Sequence, residues 1–66
     1  MSLDVRHAEK TILFRLLRAR CLNPIIAELD EINDVIHQLI ATMEPVDVEL
    51  VEKQVEDYMQ RRKGAK

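Results

Sequence analysis

The chain has 66 residues and a net charge of −2, with 47% apolar and 33% charged residues, which excludes a disordered polar segment. Its single cysteine excludes an internal disulfide. At this size stability must then come from helix packing, a metal or oligomerisation.

No run approaches the roughly 18 apolar residues of a membrane span. The N-terminal segment carries Asp4 and Glu9, unlike a secretory signal. The lone Cys21 suits a reducing compartment, so the expected location is cytoplasmic.

Glycine occurs once, at Gly64, and proline twice, at Pro24 and Pro45. These residues punctuate segments of helical periodicity, which predicts an all-α chain. Three helices are expected, at about 5–22, 24–43 and 48–63, in one domain over 1–63 with a frayed basic tail at 64–66. The whole is a small helical bundle completed by self-association.

The first helix has Ser2 or Asp4 as N-cap candidates. It ends at "LNP", because the residue before a proline is pushed out of the helical region. Asn23 can then cap the second helix with Pro24 at its first position. The alternative is one long helix kinked at Pro24.

In the second helix Ile25, Leu29, Ile32, Ile36, Leu39 and Met43 follow heptad spacing, with Ile32 and Ile36 expected at the centre of the core. Ile26, Ile40 and Val35 widen that face. "EPVD" forms a turn, and Asp47 caps the third helix with Val46 and Val51 at the spacing of a hydrophobic staple. Gly64 falls past its end. Val48, Val51, Val55, Tyr58 and Met59 make a narrower stripe, so this helix should pack most weakly.

"KTILFRLLRARC", residues 10 to 21, carries more apolar groups than one buried face needs. At 100° per residue Val5, Ala8, Ile12, Leu16 and Ala19 share a core stripe. Leu13, Phe14, Leu17 and Cys21 form a second apolar face. Leaving a Leu or Phe wet forfeits about 1.5–3 kcal/mol, so this second face is the expected association surface, with a second copy as partner. In the competing arrangement the third helix covers it within one chain.

Charge is segregated. The first twenty residues hold Arg6, Lys10, Arg15, Arg18 and Arg20 against Asp4 and Glu9, whereas Pro24 to Glu44 holds Glu28, Asp30, Glu31, Asp34 and Glu44 with no Lys or Arg. Helices one and two are therefore expected as antiparallel neighbours. A basic first helix also permits nucleic-acid contacts at Arg15 and Arg18. Against this stand the acidic total and the presence of only two aromatics, Phe14 and Tyr58.

Signals for catalysis or metal binding are weak. Zinc-ligand spacing and a Gly-rich phosphate loop are both missing. Asp34 and His37 have the spacing of carboxylate-bridged metal sites in bundles, but the wheel places them and His7 on polar sides. Cys21 sits at a helix C-terminus, whose dipole opposes the thiolate, and is expected as a buried or semi-buried thiol.

"LDEINDVIHQLI", Leu29 to Ile40, resembles the first-helix pattern of the small all-helical chorismate mutases, including the acidic Asp30 and Asp34. The resemblance implies arginines that bind a dicarboxylate, but this chain has Ile26 and Met43 at those positions. The expected function is a non-enzymatic protein-interaction module of regulator, adaptor or chaperone type, with no cofactor. The alternative is a small nucleic-acid-binding regulator using helix one.

Overall fold

The computed structural model describes residues 3–64. It is all-α: α1 spans Leu3–Leu22, α2 Asp30–Thr42 and α3 Pro45–Gly64, and the described residues include no strand. A 3-10 turn over Ile26–Glu28 precedes α2. Ser2, a cap candidate for α1, and residues 65 and 66 of the expected tail lie outside the described residues, while Gly64 is the last residue of α3.

α1 ends where Pro24 requires it, and the Asn23 N–H closes the final turn on the Ala19 carbonyl at 2.9 Å. The second helix does not start at Pro24. Residues 26 to 29 instead make successive i→i−3 bonds, at 3.0–3.1 Å, to the carbonyls of residues 23 to 26. Asn23 caps this turn, its Oδ1 accepting the Ile25 N–H at 3.1 Å. Leu29 is extended, and α2 begins at Asp30 without a side-chain cap bond. The physical reason is direction: α2 runs back along α1, and a tight turn reverses the chain where a helix from Pro24 would continue away. Asn33 pins the turn by donating from Nδ2 to the Ala27 carbonyl at 2.8 Å. The reversal rules out a single kinked helix.

Met43 is extended, and Pro45 takes the first position of α3, where its missing N–H costs nothing. Asp47 therefore lies inside the first turn of α3 and is not its cap. Val46 is exposed while Val51 is fully buried, so no staple joins them.

Side-chain contacts define the topology. Arg6 meets Asp47 and Phe14 meets Tyr58, so α1 and α3 are parallel. Glu9 meets Thr42 and Arg20 meets Asn33, so α2 is antiparallel to α1, as the charge segregation suggested. α1 packs more extensively on α3 than on α2. The helix expected to pack most weakly is thus the main partner of α1.

The core comprises Leu13 and Leu17 of α1, Ile36 of α2, Met43 just after it, and Val51 and Val55 of α3. Phe14, Leu16, Ile32, Leu39, Val48 and Met59 pack half-buried around it. Ile36 is central, as its heptad position predicts. The N-terminal part of that seam is not packed, because Ile25 lies in the turn and is 67% exposed.

The two faces of α1 are exchanged relative to the sequence-based expectation. Leu13 is 0% exposed and Ile12 47%, so the second apolar face is the core and much of the expected core stripe faces outward. Size decides the exchange. Leu13, Leu17 and Phe14 displace more water on burial than a stripe in which Ala8 and Ala19 hold two positions. α3, running the length of α1, supplies the cover.

One ion pair is present among the described residues. Arg6 donates from Nε to Asp47 Oδ2 and from Nη2 to Oδ1, both at 3.1 Å. Asp47 is only 6% exposed, and its position in the first turn suits the helix dipole. This two-pronged contact sets the parallel register of α1 and α3.

Leu13→Ala is expected to cost about 2–5 kcal/mol, and Ile12→Ala, on the outer side, less than about 1 kcal/mol. Urea unfolding of both variants measures the difference, and equal losses would contradict the orientation of α1. A double-mutant cycle on Arg6→Ala and Asp47→Ala should give a coupling of about 1–3 kcal/mol. Strict additivity in that cycle would mean the ion pair does not hold the register.

Candidate interaction surfaces

Along the outer side of α1, Val5, Ala8, Ile12, Arg15, Ala19 and Leu22 follow one another at alternating spacings of three and four. That is heptad spacing, which keeps one line of side chains facing a neighbouring helix. All six are exposed except Ala19, which is half-buried. The line lies across the helix from Leu13 and Leu17.

α2 borders this line. The Thr42 hydroxyl donates to Glu9 Oε2 at 3.2 Å. Counting back along α2 and forward along α1 from that contact puts Leu39 level with Ile12, and Val35 level with Leu16. Val35 is exposed, and Leu39 and Leu16 are half-buried. The outer line of α1 and this edge of α2 therefore form one apolar flank. Toward the N-terminus of α1 the flank carries Asp4 and the Thr42-bonded Glu9. At its middle the charges differ by helix, with Arg15 on α1 and the exposed Asp30, Glu31 and Asp34 on α2. None of Arg15, Asp30, Glu31 and Asp34 makes an ion pair among the described residues.

A groove of about 470 Å³ lies between α1 and α3, bordered by His7, Lys10 and Phe14 on one side and Leu50, Tyr58 and Arg61 on the other. Phe14 and Tyr58 meet edge to face, with ring centroids 6.2 Å apart. The Arg18 guanidinium stands 5.4 Å from the Phe14 centroid and 5.6 Å from that of Tyr58, a favourable position for a cation over aromatic faces. Lys10, Asp57 and Arg61 give the groove mixed charge, and its lining contains no serine or cysteine.

Of the residues expected to form an association surface, three are turned into the chain. Leu13 and Leu17 are buried in the chain's own core, and Phe14 is half-buried against Tyr58. Cys21 is exposed, not buried as expected, because it lies in the last turn of α1. Among the arginines, Arg18 covers the two rings, Arg6 binds Asp47 and Arg20 donates to Asn33 Oδ1 at 3.3 Å. Arg15 remains exposed.

Asp34 and His37 are exposed on α2. Among the described residues no group of three or more His, Cys, Asp or Glu could hold a metal, and no helix is long and apolar enough to cross a membrane. The outer line of α1 was partly legible in sequence. Its heptad spacing continues through Arg15 to Leu22, beyond the apolar stripe that ends at Ala19.

Among known proteins, the chain matches no family model, no curated protein and no solved structure. At the positions where a chorismate-mutase pattern would carry arginines, Ile26 lies in the 3-10 turn and Met43 is buried in the core.

Arg18→Ala should cost about 0.5–2 kcal/mol through loss of its ring contacts. Arg15→Ala should stay within about 0.5 kcal/mol in the isolated chain. Thermal unfolding at a concentration low enough to exclude association distinguishes them; equal stability of the two variants would mean the rings gain nothing from Arg18.

Proposed function

We propose that the chain is a non-enzymatic protein-interaction module of regulator, adaptor or chaperone type, and that it binds through the flank formed by α1 and α2. The observation that carries this reading is the exposure of Ile12 and its heptad neighbours beside Val35. A helix that repeats apolar groups at this spacing is built to lie against another helix. Among the described residues nine large apolar side chains are exposed and six are buried, so covering part of the exposed set adds substantially to a small core.

An enzyme would need polar groups converging on a reacting centre. The groove between α1 and α3 sets Lys10, Asp57 and Arg61, charges of mixed sign, around Phe14 and Tyr58. Nucleic-acid binding is the weaker reading, because Arg6, Arg18 and Arg20 already have partners within the chain.

A photoreactive amino acid at position 12 tests the proposal in cells that express the chain. Covalent adducts with a polypeptide are expected from position 12 and none from Lys53, exposed on α3. Absence of polypeptide adducts from position 12, or adducts removed by nuclease, would overturn it.

A further inference from the structure

We infer that the α1–α2 flank is the interface of a twofold dimer in which α1 of each copy lies along α2 of the other. This inference rests on the interaction-module reading and names the partner as a second copy of this chain.

The flank is self-complementary in the way a twofold axis demands. Its two strips are antiparallel helices of opposite character, one carrying Arg15 and the other Glu31 and Asp34. Rotation by 180° about an axis that lies in the flank, between α1 and α2 and parallel to them, exchanges the two strips. It lays α1 of one copy antiparallel to α2 of its partner, and both such contacts are identical.

Charge selects this pairing over the alternatives. Setting α1 against α1 would bring two Arg15 side chains together in a desolvated contact. Setting α2 against α2 would do the same with Glu31 and Asp34. Only the crossed arrangement places opposite charges face to face, and like charges at an interface exclude the others. The apolar groups agree with it. Ala8 and Ala19 allow close approach of a helix, Ile12 and Val35 supply buried area, and the Arg15 stem covers apolar surface while its head reaches a carboxylate.

Sedimentation equilibrium on the full chain, run with charge variants, provides the test. The wild type is expected at the two-chain mass at tens of micromolar. Ile12→Asp should weaken association by at least about tenfold, whereas Leu50→Asp, on the groove side of α3, should leave it unchanged. Far-UV circular dichroism at low concentration checks that each variant keeps its helices.

Arg15→Glu, and separately the pair Glu31→Arg with Asp34→Arg, should each weaken self-association by about tenfold. An equimolar mixture of these two variants should recover the two-chain mass near wild-type concentrations, because both crossed contacts are again complementary. These variants alter only exposed side chains, so a folding failure of Ile12→Asp leaves the test intact.

A monomeric wild type, a dimer indifferent to Ile12→Asp, or folded charge variants that fail to combine would each overturn the dimer. A monomeric wild type that still yields adducts from position 12 with a different polypeptide would overturn the dimer and leave the interaction module standing. A monomer without such adducts removes both.

Discussion

The contact of Leu13 and Leu17 with Ile36, Val51 and Val55 fixes the orientation of every other side chain on α1. A single helix can bury only the arc that its neighbours cover, and two neighbours cover little more than half of it. Once Leu13 and Leu17 point inward, Phe14 is directed to α3, Leu16 to α2, and Ile12 to solvent. The distribution of apolar groups around α1 thus becomes a division between a core and an outer surface. In a chain this short the division matters, because each large side chain left outside is a considerable fraction of the stability available to a small domain.

Polar contacts refine this arrangement more than they create it. The Arg6–Asp47 pair holds the start of α1 against the first turn of α3. Arg20 and Asn33 link the far end of α1 to α2, and Asn33 also ties down the turn between them. These contacts are specific because they satisfy groups the fold has brought together, and the nearly buried Asp47 carboxylate would be costly without its partner. The segregation of charge between α1 and α2 agrees with their antiparallel packing, yet the ion pair among the described residues joins α1 to α3. The carboxylates of α2 and the guanidinium of Arg15 make no ion pair among the described residues.

Two surfaces flank α1 and differ in character. On the α3 side, Arg18 seals the edge-to-face pair of Phe14 and Tyr58, so a basic residue that could have faced nucleic acid contributes to packing. On the α2 side lies a continuous apolar flank with separated charges, suited to another helix. The proposed binding function follows from that contrast: one side is closed by the chain's own aromatics and the other remains open.

The sequence by itself determined the helical class, the three elements and the breaks between them, because Pro24 and Pro45 act locally through φ and the missing N–H. It also marked Ile36 as core, since heptad spacing on α2 leaves a single dominant face. Helix starts were less legible. Asn23 and Asp47 are good caps by residue type, but chain reversal requires a 3-10 turn after Asn23, and Pro45 begins α3 before Asp47. Only the tertiary structure decided which face of α1 is inside. Periodicity reports that two apolar faces exist, and both satisfy it. The choice between them depends on the volume each can fill between α2 and α3, and on α3 running parallel to α1 along its length. That is a property of three segments packed together, carried by no one of them alone.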